Sequence, residues 1–281
     1  MNIDLLLYIV LFSQIMFLSY YYPRRMLIRI HTIFKNYPPN EFPKLYPESI
    51  EKYKKSAKRY QLMNHLMIGL GLGLILWFYI TPRTGEWDQV IVFWYFMIQF
   101  LPNIGIELWA IKYHNAMRLL NQDTQKEAVL QPRRLTDFVS KNLLGTVILI
   151  YVIFVGFIAY VDQFDYPWFS GYLTVLIISG TYLFFGLIIY RAMYGKVQNP
   201  HQSYEDRKID IQTLVRQIFS IAIAVMFYAM LQISLKVFGL ESFKAISISL
   251  YFHVIGFLSM QWPRLDFINF DVYKDKPALT K

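Results

Sequence analysis

Seven apolar stretches of about 20 residues, joined by loops whose positive charge falls on alternate sides, restrict what this chain can fold into. A helix of about 20 residues crosses about 30 Å of hydrocarbon. In that medium every backbone amide must be satisfied inside its own helix or within a closed barrel. The expectation is an all-α polytopic integral membrane protein, a bundle of seven transmembrane helices over residues 3–22, 61–81, 89–111, 142–161, 170–190, 213–235 and 243–262. With 56% hydrophobic and 17% charged residues, the chain is too apolar for a soluble surface. Aromatic side chains gather at the span ends, as in Tyr20-Tyr21-Tyr22 and Tyr166-Pro167-Trp168-Phe169, where rings with a polar edge favour headgroup depth.

Charge predicts the orientation. Of 28 Lys and Arg residues, 25 fall in four segments: ten in 23–60, six in 112–141, five in 191–216 and four in 263–281. The opposite side holds Arg83, Lys236 and Lys244 against six acidic residues. Basic loops stay in the cytoplasm during insertion, so the N-terminus is expected outside and the C-terminus in the cytoplasm, in a bacterial inner (plasma) membrane. The start Met1-Asn2-Ile3-Asp4 carries no basic region and no cleavage pattern, which predicts a retained first helix rather than a signal peptide.

The organisation expected is a transmembrane domain over residues 1–262, including a basic cytoplasmic segment 23–60, and a cytoplasmic tail 263–281. In the basic segment, Pro38, Pro39, Pro43 and Pro47 favour an extended path. Glu48-Ser49-Ile50-Glu51 then starts a helix that can run unbroken into the second span. Ala116, Met117, Leu119 and Leu120 suggest a surface helix after the third span, 191–212 reads as a loop, and the charged tail is expected to fray. At three span junctions Pro precedes Arg, which predicts a helix break and a contact to lipid phosphate at Arg24, Arg25, Arg133, Arg134 and Arg264.

Polar residues inside spans mark the interior, because hydrocarbon disfavours them. Gln99, Asn103 and Glu107 recur at four-residue steps beside Pro102, with His114 beyond them. Glu107 is the one acidic side chain well inside a span. It suits a proton carrier, a cation ligand, an acid or base, or a structural pair with Arg216. The sixth span carries Arg216, Ser220, Ala224, Tyr228 and Gln232 at the same spacing, a packing face. Gly69 and Gly73 are assigned close helix contact in the second span, with Gly71 on another face. His65 and His253 are hydrogen-bonding candidates near the end of the second span and the middle of the seventh.

No two His residues stand four apart, so a His65, Glu107 and His114 site needs assembly by the fold, and no metal is expected. With zero Cys, thiolate chemistry is excluded. No phosphate loop, nucleotide fingerprint or nucleophile elbow occurs, so no cofactor is expected. The net charge of +9 follows the membrane sidedness and calls for no nucleic acid. Membrane lipids and a membrane or cytoplasmic protein are the partners expected. The first functional expectation is a noncatalytic membrane subunit. The second is a small-ion or small-solute transport protein, carrier or channel, using the polar face of the third span. The third is an intramembrane enzyme acting on lipid, with Glu107 and His65 or His114 as acid and base.

Overall fold

The computed structural model describes residues 3–81, 86–121, 134–195 and 199–275, and among them the fold is all-α. Among the described residues, seven helices are long and apolar enough to cross a membrane. They are α1 (Ile3–Asn36), α2 (Ile50–Ile80), α3 (Glu86–Leu120), α4 (Lys141–Asp162), α5 (Gly171–Tyr194), α6 (Tyr204–Val237) and α7 (Glu241–Ser259). The chain divides into two compact units. The first is Met1–Val129, Lys196–Arg207 and Arg264–Lys281; the second is Leu130–Gly195 and Lys208–Pro263.

In the first unit α1 presents Leu7, Leu11 and Ile15, all fully buried, at four-residue steps toward its neighbours. The Tyr8 hydroxyl donates to the Phe78 carbonyl at 3.2 Å, fixing the start of α1 beside the end of α2. The expected break at Pro23 is absent, since α1 continues to Asn36. Residues Met16–Tyr21 form a π-helical stretch, and α geometry resumes at Tyr22 with Pro23 in its first turn. The wider π-helical turn directly before Pro23 accompanies the loss of the bond its missing amide would have made, and the helix passes it.

The helix expected from Glu48 onward begins at Ile50, after Ser49 in extended geometry, and does run unbroken through the second span. The surface helix expected around Ala116 is instead the last turns of α3, and Met117 is buried there. Its partners explain the difference: Phe42, Leu45, Phe270 and Tyr273 close over it. The tail expected to fray is packed as far as Tyr273. Tyr37 stacks on Phe270 at 3.8 Å, Asn199 donates to the Tyr273 hydroxyl at 2.6 Å, and the Asp206 carboxylate accepts from the Asn269 amide at 3.2 Å. Phe270 and Tyr273, with Leu265, Ile268 and Val272 beside them, supply the burial that holds it.

The glycine assignment in α2 is reversed. A Cβ on Gly71 would lie 2.3 Å from the Tyr95 hydroxyl oxygen and 2.6 Å from Ile15 Cγ1, whereas one on Gly69 or Gly73 would meet nothing within 4 Å. Gly71 therefore sits where α1, α2 and α3 approach, and the four-residue glycine pair faces away from them.

In the second unit the Ser140 hydroxyl caps α4 by accepting from the Leu143 amide at 3.2 Å. The Asp162 carboxylate ends the α4–α5 hairpin by accepting from the Gly171 amide at 3.0 Å. Phe154 and Ile158 of α4, Ile178 of α5 and Met226 of α6 share one core. Phe138, Ile189, Met193, Val215 and Ile218 form a second core in the same unit. The Gln217 amide of α6 donates to the carbonyls of Ser259 and Gln261, at 3.1 and 2.8 Å, and so holds the end of α7.

Candidate functional site

The polar residues of the first unit form a seam across three helices. The Gln14 amide of α1 donates to Gln99 Oε1 of α3 at 3.0 Å, and Gln99 Nε2 donates to Ser19 Oγ at 2.8 Å. All three are buried, with Gln99 only 2% exposed. Ser19 lies in the π-helical stretch, whose wider turn alters the register of side chains along α1. Farther along, the Tyr95 hydroxyl donates to the Met67 carbonyl at 3.0 Å, and the Tyr60 hydroxyl donates to Asn103 Oδ1 at 3.0 Å. Asn64 Nδ2 donates to the Tyr60 carbonyl at 2.8 Å, while Asn64 Oδ1 is buried with no hydrogen-bond partner.

The stripe of Gln99, Asn103 and Glu107 therefore divides. Four residues advance about 40° beyond a full helical turn, so the stripe rotates from a buried amide, through a half-buried one, to an exposed carboxylate at Glu107. His65 is exposed on α2 beside buried Asn64, and His114 is half-buried with Nδ1 enclosed and unpartnered. Among the described residues, no three His, Asp or Glu side chains are grouped to hold a metal ion.

Beside the seam lies a cavity of about 400 Å³. Its walls come from the end of α1, the first half of α2, the second half of α3 and the turn at Leu45 and Tyr46. Pro102 and Gly105 of α3 leave room there, one without an amide and the other without a side chain. Four tyrosines line it, and each hydroxyl has a hydrogen-bond partner in the surrounding protein. Tyr46 donates to the Tyr37 carbonyl, Tyr113 to the Leu45 carbonyl and Tyr60 to Asn103, while Tyr53 accepts from the Glu48 amide. The cavity thus presents mainly ring faces and aliphatic groups, with Ser56 among its lining and Arg59 as its one charged lining residue. Burial pushes the Tyr46 phenol up to about 12, helped by the nearby Tyr53 phenol.

In the second unit the expected stripe lies partly along a groove between α6 and α7. Ser220, Ala224 and Tyr228 line it, and Tyr228 stacks on Tyr251 at 4.2 Å. Gln232 Nε2 donates to Ser247 Oγ at 2.7 Å. His253 Nδ1 is 2.8 Å from the Ser249 carbonyl, one turn back, which places a proton on that nitrogen. Arg216 is exposed, and it belongs to the other unit from Glu107.

Among the arginines assigned to lipid phosphate, Arg24 and Arg25 are exposed and lie over the rings of Tyr20 and Tyr21, at 5.7 and 5.8 Å. Arg134 is exposed, Arg264 pairs with Asp266 at 2.8 Å, and Arg133 lies outside the described residues. Sequence reasoning missed Gln14, Ser19, Asn64 and Arg59 as members of a site. A signal existed for Gln14 and Ser19, which with Ser13 are the neutral polar residues of a largely apolar first span. Comparison with known protein families, curated proteins and solved structures finds no match to this chain.

Proposed function

We propose that the protein is a noncatalytic subunit of a bacterial inner (plasma) membrane that assembles with other membrane or cytoplasmic proteins. Its N-terminus is outside and its C-terminus in the cytoplasm. The orientation rests on the 25 basic residues that share one side. The assembly reading rests on a contrast between two kinds of polar residue. The neutral ones, Gln14, Ser19, Gln99, Asn103, Gln232 and Ser247, are engaged in bonds between helices, which fits a structural use. Among the ionisable ones, Glu107, His65 and Arg216 are exposed on their helices, whereas His114 and His253 are half-buried. A charge facing hydrocarbon is costly, and a polar group on a neighbouring protein offsets that cost.

The test is to compare wild type with Glu107→Gln and Glu107→Lys, purified in mild detergent and reconstituted. Assembly predicts that Glu107→Lys loses a copurifying subunit while proton and solute flux into liposomes equals that of wild type. Flux that is present in wild type and lost in Glu107→Gln, with the assembly intact, would establish a carrier instead.

A further inference from the structure

We propose that the cavity of the first unit holds the headgroup of a zwitterionic phospholipid, with the lipid phosphate at Arg59 and the cationic amine among the aromatic rings. This goes beyond assembly and holds whether or not a protein partner exists. Depth is the first argument. From Ile80 back to Arg59, α2 rises about 31 Å, close to the hydrocarbon thickness of about 30 Å. No Lys, Arg, Asp or Glu interrupts that run, so Arg59 stands at the level of lipid phosphates. Met63, Leu66 and Leu70 continue the same face of α2 into the hydrocarbon, all exposed, and give the acyl chains a surface outside the cavity. Tyr53 lies about 9 Å farther toward the water than Arg59, and the rings of Trp109 and Tyr113 meet it there. What reaches the cavity from Arg59 is therefore the group beyond the phosphate.

Chemistry is the second argument. Tyr53 stands edge-on to Trp109 at 5.5 Å and 77°, and to Tyr113 at 5.8 Å and 87°. Walls set near right angles can present the faces of more than one ring to a small cation. Phe34, Tyr46 and Tyr60 complete the aromatic lining. The same unit already holds an ammonium in this way, with Lys274 Nζ 5.2 Å from the centroid of the Phe42 ring. Half-buried Ser56 adds a hydroxyl to the lining, an acceptor for an amine. Arg59 matches the phosphate by paired N–H donors. Access is the third argument. Among the lining residues Arg59, Met63 and Gly105 are exposed, which places the entrance on the flank of the helices at headgroup depth. Lys55 and Lys58, exposed and outside the lining, attract any anionic lipid, so variants are compared by the ratio of two lipids.

Gly105 gives the test, because a Cβ there meets nothing within 4 Å and a larger side chain occupies the entrance. The full chain, stripped of lipid in dodecyl maltoside, is offered phosphatidylethanolamine and phosphatidylglycerol with identical acyl chains. Adducts are then counted by native mass spectrometry. The ratio of the first lipid to the second is expected to fall about fivefold in Gly105→Leu and in Trp109→Leu, the scale of a cation held over rings. Arg59→Gln is expected to weaken both lipids alike and to leave their ratio unchanged, because both carry the phosphate. Glycerophosphoethanolamine, the same headgroup without acyl chains, is expected to bind about tenfold more weakly than the lipid for want of apolar burial. Binding as tight as the lipid's would make the free headgroup the ligand and overturn the lipid assignment. If Gly105→Leu does not fold, judged by its melting without lipid, Ser56→Leu on another wall replaces it. An equal lipid ratio in wild type and the folded cavity variants, or undiminished binding in Arg59→Gln, would overturn the proposal.

Discussion

Gln99 of α3 donates to Ser19 of α1 across 2.8 Å, at the π-helical stretch that separates two α-helical parts of the same long helix. With Gln14 accepted on its other side, Gln99 ties α3 to α1 by both ends of one amide. Gln99→Leu is expected to lower stability by roughly 1–2 kcal/mol, the scale of interhelical hydrogen bonds in membranes, because Gln14 and Ser19 are left buried without their partner. Thermal unfolding in detergent measures this. Replacing Gln14 and Gln99 together by Leu is expected to cost less than the sum of the two single changes.

The close approach at Gly71 predicts opposite outcomes for neighbouring glycines. Gly71→Ala forces the Tyr95 hydroxyl and the Ile15 side chain to move and is expected to cost about 1–3 kcal/mol. Gly69→Ala and Gly73→Ala, with open space at the new Cβ, are expected to be neutral or to stabilise by about 0.5–1 kcal/mol. Melting temperatures of the three variants in one detergent decide the matter.

Phe270 anchors the segment after α7 by stacking on Tyr37. Phe270→Ala removes a buried ring, a change that costs about 3–5 kcal/mol in a well-packed core. The exposed Arg264 that precedes the segment is then expected to be cut by trypsin many times faster than in wild type, with α7 itself still protected.

Tyr46 gives a pH dependence. Its phenol is held up at about 12 in the folded chain against an ordinary value of 10.0, first by burial and then by Tyr53. Between those values the unfolded chain releases the proton and the folded chain keeps it. The contribution to stability is therefore complete below pH 10 and declines as pH rises toward 12. Subtracting the ultraviolet tyrosinate titration of Tyr46→Phe from that of wild type is expected to leave one phenol with a midpoint near 12; a midpoint near 10 would contradict this.

The spans were legible because length, apolarity and charge each mark them independently in the sequence. Hidden were the features that depend on partners distant along the chain. Nothing local to Met117, Tyr37 or Phe270 announces that the three segments meet, since each is an ordinary apolar residue beside charged ones. The stripe at Gln99, Asn103 and Glu107 was visible, but its rotation along α3 separates the buried amide from the exposed carboxylate. For the glycines, a four-residue spacing pointed to Gly69 and Gly73, while the actual contact depends on which face α1 and α3 approach. The cavity was invisible because its walls come from four segments distant along the chain.

The central claim is that the chain crosses the bilayer seven times with its ends on opposite sides. The absence of native Cys makes a direct test possible, since any introduced thiol is the sole target. Exposed Asp4 and Asp275 are replaced singly, as Asp4→Cys and Asp275→Cys, and sealed right-side-out vesicles are treated with a membrane-impermeant maleimide. The account predicts that position 4 is labelled at once and position 275 only after permeabilisation. Labelling of both positions in sealed vesicles, or of neither, would contradict it.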